Sequence, residues 1–436
     1  MKEKYHFVGI KGSGMSSLAQ ILFDNGYEVQ GSDIESETFT QVGLEQRNIS
    51  MLPFSKNNIS NEHTFIIGNA FDDKNEEVNT IHKNNFKSYR YHEFLGDLMG
   101  NFISIGVSGA HGKTSTSSLL AHTLGNHCPI SALIGDGTGY GEKNSKYFVF
   151  EACEYKRHFL NYYPDYAIIT NVDFDHPDYF SGLEDVVSAF DEFASKAKKN
   201  VIVCGDDLHS KKLSNYTKMI TYGLDEHNMV IATAVNVTPE ETSFNVLYKG
   251  DDMGRIQIPF HGTHAIQNTL AVLTVCLLEG IEIEDIKKHL KTFKGAKRRF
   301  NIEEWNETII VDDYAHHPKE IQVTIEAARQ KFPNKELVAV FQPHTFSRTA
   351  TFLNEFKDSL LLADKVYGCP IFGSAREQQG SLSTKELLDL IPNSDLLTLE
   401  TIRDLNSHSN SVLLFMGAGD IGNYIDAFKA NTQSQG

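Results

Sequence analysis

Several absences narrow the class of this chain before any motif is read. Cysteine is scarce: Cys128, Cys153, Cys204, Cys276 and Cys369 are the only five in 436 residues. They are far apart, odd in number and form no C-x-x-C pair, so neither a disulfide framework nor a structural zinc site is indicated, and a reducing compartment fits best. Basic charge is not in excess. The 57 acidic and 40 basic residues leave a formal net charge of −17, which argues against nucleic acid or an anionic membrane as partner, since both need a basic face. Anionic small ligands would have to be held by local positive features. No apolar stretch approaches the ~18 residues of a membrane span, so no membrane insertion is expected. The opening Met1-Lys2-Glu3-Lys4 runs straight into a strand-like segment and lacks the pattern of a signal peptide. A cytoplasmic protein is the expectation. There is no short-period repeat and no low-complexity linker, and the polar residues 431–436 are expected to fray.

What is present is an ordinary globular composition, 40% hydrophobic and 22% charged, in a chain long enough for about three domains. Strand and helix signals alternate, and the alternation restarts twice. The first series has strand-like runs at 5–9, 28–31 and 64–68, with a helix over about 15–25. The second opens with a strand at 102–107 and a helix at 114–124. Strands at 147–150, 166–170 and 201–204 follow, then a more irregular β-rich stretch from about 229 to 260. The third has strands at 308–312, 336–341, 365–367 and 412–416, and helices at 319–331 and 349–358. This predicts an α/β protein of three domains, at residues 1–100, 101–298 and 299–436, with largely parallel sheets. The first and last are Rossmann-like, and the middle one is a P-loop-type mononucleotide-binding unit.

The chemistry concentrates in loops at strand ends. Gly109-Ala110-His111-Gly112-Lys113-Thr114-Ser115-Thr116 follows an apolar strand and opens a helix, which is the setting of a phosphate loop. Glycines let backbone N–H groups approach phosphate oxygens, and the helix N-terminus adds partial positive charge. Lys113 can reach terminal phosphates, and Thr114 or Ser115 can place a hydroxyl on Mg²⁺. The loop departs from the Walker pattern at Val107, where that pattern has glycine. Gly9-Ile10-Lys11-Gly12-Ser13-Gly14 also joins a strand to a helix, with Asp33 about 20 residues on. Any nucleotide diphosphate would suit such a turn, and Asp33 could bond a ribose. An NAD-dependent oxidoreductase would use this loop but leave Lys113, Glu151 and His176 without a role.

Glu151-Ala152-Cys153-Glu154 and Asn171-Val172-Asp173-Phe174-Asp175-His176 follow two further strands. Glu151 and His176 are candidate Mg²⁺ ligands there. His261-Gly262-Thr263-His264 opens an apolar helix through Asn268. Zinc would need a third ligand, so an adenine contact by Asn268 is the better reading, against a plain helix start. Lys297-Arg298-Arg299 is the densest basic cluster and is either a solvated run or a phosphate clamp. Asp312-Asp313-Tyr314-Ala315-His316-His317-Pro318 and Phe341-Gln342-Pro343-His344-Thr345-Phe346-Ser347-Arg348 are polar clusters at strand ends. Adjacent His316 and His317 could ligate a metal, though ribose, phosphate or substrate contacts fit them better.

Taken in order, GIKGSGM at 9–15, GAHGKTST at 109–116, EACE at 151–154, TNVDFDHPDYF at 170–180, HGTHAIQN at 261–268, DDYAHHP at 312–318 and FQPHTFSRT at 341–349 resemble the Mur ligase family over nearly the whole chain. The resemblance implies a first domain holding a UDP-sugar, a second holding ATP, and a third that closes with the incoming amino acid. It implies an ATP- and Mg²⁺-dependent ligase of peptidoglycan precursor synthesis, joining L-alanine to the lactyl carboxylate of UDP-N-acetylmuramate through an acyl phosphate. Carried over, Gly12, Ser13, Gly14 and Met15 would contact the UDP-sugar. Gly109, Ala110, His111, Gly112, Lys113, Thr114 and Ser115 would hold ATP phosphates. Thr114, Glu151 and His176 would bind Mg²⁺. His264 and Asn268 would lie near adenine and Asp313 at the ribose, while Arg298, His316, His344 and Arg348 would serve the closed active site.

Overall fold

The computed structural model describes residues 3–433 apart from 215, 374–376, 378 and 381. Met1 and Lys2 lie outside it. So do residues 434–436 of the tail expected to fray, whereas 431–433 complete the last helix, Gly422–Gln433.

Three sheets form in chain order. The first has five parallel strands in the order Ser50–Pro53, Glu28–Asp33, Lys4–Val8, His63–Ile67 and Ser88–Arg90. The chain steps one way from Lys4–Val8 and later returns to its other side. That reversal opens a crevice at the carboxyl ends of the central strands, the place where such sheets take ligands. Helix Ser13–Asp24 begins directly below it.

The second sheet has ten strands, with Ile103–Ser108 between Tyr147–Glu151 and Tyr166–Ile169, all parallel. Residues 229–260, expected to be β-rich but irregular, form an antiparallel meander of Val230–Val237, Thr242–Tyr248 and Asp251–Ile258. Register shifts between Thr233 and Asn236 and between Val246 and Leu247 interrupt its inside–outside alternation. The period-two signal in the sequence is correspondingly weak.

The third sheet has six strands in the order Asn301–Trp305, Thr308–Asp313, Val412–Met416, Leu337–Phe341, Lys365–Gly368 and Ser394–Leu396. The first pairs antiparallel and the rest parallel. The single helix expected at 349–358 is two, Phe346–Thr351 and Leu353–Leu360. They break at Phe352, whose ring packs on His317 and Phe174.

The three-domain architecture is joined at two seams. Helix Ser13–Asp24 packs on the hairpin Ile130–Leu133/Gly139–Gly141 so closely that a Cβ on Gly139 would lie 2.0 Å from the Ser17 carbonyl oxygen. Phe7, Leu18 and Ile66 share one apolar core with Phe148, Phe150 and Phe190 of the second domain. The third domain reaches the second through Gly262 N–H donating to Gln330 Oε1 (2.9 Å) and Lys331 Nζ donating to the Pro239 carbonyl (3.1 Å). Among the described residues no helix is long and apolar enough to cross a membrane.

Candidate active site

Strand Ile103–Ser108 ends in the loop Gly109–Gly112, which turns into helix Lys113–Gly125. The turn needs glycine at both ends. Gly109 has φ +141° and a Cβ there would sit 1.9 Å from Thr170 Oγ1, while Gly112 enters the helix at φ +82°. The neighbouring loop holds the turn in place. The His111 N–H donates to Asn171 Oδ1 (2.9 Å), and Asn171 Nδ2 (2.9 Å) and Thr170 Oγ1 (2.6 Å) donate back to the His111 carbonyl. A rigid loop at a helix start, where the first N–H groups have no helical partner, is suited to an anion.

Lys113 folds back over this loop. Its ammonium donates to the Gly109 carbonyl (2.5 Å), the Ala110 carbonyl (3.2 Å) and Glu154 Oε2 (3.0 Å). Burial pulls the lysine pKa down, but the Glu154 carboxylate outweighs it and the net movement is upward. Burial likewise pushes Glu154 up, and Lys113 and His176 bring it below its ordinary value. Both groups are therefore charged, a buried ion pair at the mouth of the loop. His176, at φ +56°, places Nε2 3.6 Å from Glu154 Oε1. Glu151 accepts from the Gly135 N–H (2.7 Å) and Ser117 Oγ (3.2 Å), and burial raises its pKa. Thr114 is buried, with its Oγ1 3.5 Å from Arg299 Nη2. His176 thus stands against the Lys113–Glu154 pair.

The third domain supplies the opposite wall. Asp313, at the end of Thr308–Asp313, accepts from the Phe300 (2.8 Å) and Ala315 (2.7 Å) N–H groups, and burial pushes it up to about 6. Arg298 and Arg299 each place a guanidinium 5.1 Å from the Tyr314 ring. Arg298 donates to the Gly417 carbonyl (2.7 Å), and Arg299 lies 3.7 Å from Glu320. His316 Nδ1 is 3.1 Å from Glu320 Oε2, and its ring meets that of His344 edge-on at 5.9 Å. His344 stacks on Phe372 and lies 3.3 Å from Arg348 Nη1. Arg348 in turn crosses to the second domain and donates to Asp175 Oδ1 from Nη2 (2.9 Å) and Nε (3.2 Å), both side chains being buried. Burial would raise the Asp175 pKa; Arg348 holds it well below the carboxylate range.

Between these walls is a cavity of about 560 Å³, within the range of small-molecule sites. His111, Gly112, Ser115, His264, Asn268 and Asp313 line it, with Phe260, Phe293 and Ala296 as apolar surface. His264 is half-buried, its Nδ1 lies out of solvent with no partner, and desolvation lowers it to about 4, so the ring is neutral. His261 bonds the Thr238 carbonyl (2.8 Å), and among the described residues neither it nor His264 belongs to a group of three or more side chains placed to hold a metal.

In the first domain, Ser13 Oγ donates to the Gly135 carbonyl (2.8 Å), and the N–H of the same Gly135 binds Glu151. The first loop is thereby tied to Glu151 of the second domain through one residue. Gly14 lies under Tyr91, whose hydroxyl would be 2.5 Å from an added Cβ. Gly12 caps the helix, and Met15 is buried in the core. Asp33 is buried, with its two oxygens on the Lys11 (2.6 Å) and Ile34 (2.8 Å) N–H groups. It braces the Gly9–Gly12 turn.

Glu154, Asp175 and Glu320 were not singled out as site residues by the sequence, yet each holds one that was. Glu320 had a readable signal. His317-Pro318 with Glu320 at the third helical position is a capping box, and Glu320 accepts from the His316 (3.0 Å) and His317 (3.3 Å) N–H groups.

Three family models match in chain order: "Mur ligase family, catalytic domain" over residues 4–103, "Mur ligase middle domain" over 107–276 and "Mur ligase, glutamate ligase domain" over 298–421. Among solved structures, the UDP-N-acetylmuramate-alanine ligase MurC of Thermotoga maritima is similar over 99% of this chain and 100% of its own, at 26% identity and a TM-score of 0.82. A murein peptide ligase of Psychrobacter arcticus matches over 98% of this chain and 99% of its own, at 20% identity and TM-score 0.70. The MurF ligase of Thermotoga maritima, in complex with ADP, matches over 94% and 96%, at 18% identity and TM-score 0.65. These last two likenesses are of fold.

Proposed function

The chain belongs to the Mur ligase family, and from that premise we propose that it joins L-alanine to the lactyl carboxylate of UDP-N-acetylmuramate, with ATP giving ADP and phosphate. The observation that carries the proposal is the cavity with the Gly109–Gly112 loop at one wall and the third domain at the other. The choice of alanine is supported by the full-length likeness to the Thermotoga maritima alanine ligase.

In this reading residues 1–100 take the UDP-sugar on Gly12–Met15, residues 101–298 take ATP, and residues 299–436 bring the amino acid. Adenine lies by His264 and Asn268, with ribose at Asp313 and phosphates along Gly109–Ser115. Lys113 exchanges Glu154 for the terminal phosphates. Thr114, Glu151 and His176 suit Mg²⁺, since a half-buried carboxylate whose pKa is raised by desolvation gains from a cation there. When bound, Mg²⁺ would neutralise phosphate charge. The lactyl carboxylate oxygen attacks the γ-phosphorus and ADP leaves. The alanine nitrogen attacks the acyl carbon, loses its proton, and phosphate departs from the tetrahedral carbon as the amide forms. A carboxylate approaching a polyanion needs positioning and positive charge rather than a protein nucleophile, and Lys113, Arg298, His344 and Arg348 supply these.

The test is phosphate release from ATP and Mg²⁺, with UDP-N-acetylmuramate and either L-alanine or an L-Ala-γ-D-Glu tripeptide. Release that requires both UDP-N-acetylmuramate and free L-alanine is expected. Release with tripeptide but not alanine would make the protein a peptide-recycling ligase, and no release with either amine would sink the ligation.

A further inference from the structure

His111, Asp173 and His317 meet at the seam between the second and third domains, apart from Thr114, Glu151 and His176. One ligand atom from each lies within 4.8 Å of the others. His111 comes from the phosphate loop, Asp173 from the loop after Tyr166–Ile169, and His317 from the start of helix Pro318–Lys331. The rings of His111 and His317 are 4.5 Å apart, and His111 Nε2 is 3.4 Å from Asp173 Oδ2. His317 is only 5% exposed and its Nε2 is buried without a hydrogen-bond partner, while His111 Nε2, also buried, faces the Asp173 carboxylate. An orphaned polar atom at this depth is costly unless something fills the gap beside it.

We propose that these three side chains form a transition-metal site, suited to Zn²⁺ or Co²⁺, that bridges the phosphate loop and the third domain. Two imidazoles and one carboxylate are a borderline donor set that selects such ions over Mg²⁺. The surroundings match those of a ligating histidine. His111 turns Nδ1 toward Glu320 Oε1 at 3.6 Å, the carboxylate partner that fixes the tautomer and leaves Nε2 for the metal. Glu320 is itself held by His316 and Arg299. His317 also caps helix Pro318–Lys331, its side chain accepting from the Lys319 N–H at 3.4 Å and from the Glu320 N–H of the capping box, contacts that give way when the proton moves to Nδ1 and Nε2 takes the metal. Because the ligands come from both domains, the ion ties the third domain down over the phosphate loop.

The measurement is Co²⁺ titration of the chelator-treated full chain, followed by visible absorption, with Zn²⁺ displacement. The wild type is expected to bind one equivalent with the intense bands of low coordination and to melt at higher temperature when loaded. His317→Gln and, separately, Asp173→Asn are expected to weaken binding at least tenfold. Glu151→Gln, at the other candidate metal position, retains it. Asp173 is the more exposed ligand, so its variant reports even if His317→Gln fails to fold. Absence of the bands in the wild type, equal affinity in Asp173→Asn, or loss of binding in Glu151→Gln alone would overturn the site. None of those outcomes bears on whether alanine is ligated.

Discussion

At the scale of single residues, the site is organised by charges kept in pairs. Lys113 and Glu154 form one such pair, and removing one partner of a buried pair strands the other. Lys113→Ala should therefore do two separable things. Phosphate release should fall at least about 10²–10³-fold, the magnitude of losing one transition-state charge contact. The unliganded protein should also lose about 3–5 kcal/mol of stability, much of it restored in Lys113→Ala/Glu154→Ala, where no orphan charge remains. Equal melting temperatures for the single and double variants would show that the pair is not coupled. Asp313 has the opposite character. Burial raises it from 3.8 to about 6, so its contribution to stability is full below the unfolded value and is lost as pH rises through about 6. The difference amounts to about 3 kcal/mol. Measured by thermal melts from pH 4 to 7, the advantage of wild type over Asp313→Asn should shrink as pH rises. An advantage that grows would mean the carboxyl is stabilised in its charged form.

At the scale of elements, the two glycine turns make opposite demands on substitution. Gly109→Ala puts a methyl group onto Thr170 Oγ1 in a backbone region that L residues rarely adopt. It should abolish nucleotide binding through distortion of the loop. Gly139→Ala puts its methyl group onto the Ser17 carbonyl instead. It should lower stability by about 1–3 kcal/mol, as overpacking does, and loosen the first domain from the second while the Gly109–Gly112 loop stays intact. Limited proteolysis between residues 91 and 103, compared with nucleotide affinity, separates the two. Protection equal to wild type in Gly139→Ala would show that the hairpin yields. The first turn was legible in the sequence because strand, glycine, lysine and helix coincide there. The second was not, because Gly139 has no local signal and its constraint comes from a helix more than a hundred residues earlier. The same distinction explains the rest. Val412–Met416 and Pro318–Lys331 were readable from an unbroken apolar run and a capped helical period. The antiparallel meander lost its alternation to register shifts, and the break at Phe352 is set by packing on His317 and Phe174, contacts made by distant segments. Glu154 and Asp175 sat in view within quoted motifs, but only the fold shows that they hold Lys113 and Arg348.

At the scale of the whole molecule, the third domain is placed over the cavity by contacts that differ greatly in character. The bonds at Pro239 and Gln330 lie at the edge, whereas Arg348 and Asp175 are buried and bonded twice. A buried pair is only weakly screened by salt, so domain approach should persist at high ionic strength. Asp175→Ala leaves Arg348 buried without its counter-charge, a loss of about 3–5 kcal/mol that the molecule can relieve by moving the third domain into water. The expected result is a larger radius of gyration in small-angle scattering for Asp175→Ala than for wild type. The compact form should return when ATP and UDP-N-acetylmuramate supply other contacts across the cavity. Activity alone cannot test this, because Arg348 also stands beside His344 at the proposed reaction centre. Scattering unchanged in the variant, together with lost phosphate release, would mean that Asp175 orients Arg348 for chemistry and that the edge contacts suffice to hold the domain. A salt-dependent expansion of the wild type would shift the weight of closure from the buried pair to the solvent-exposed contacts at the rim.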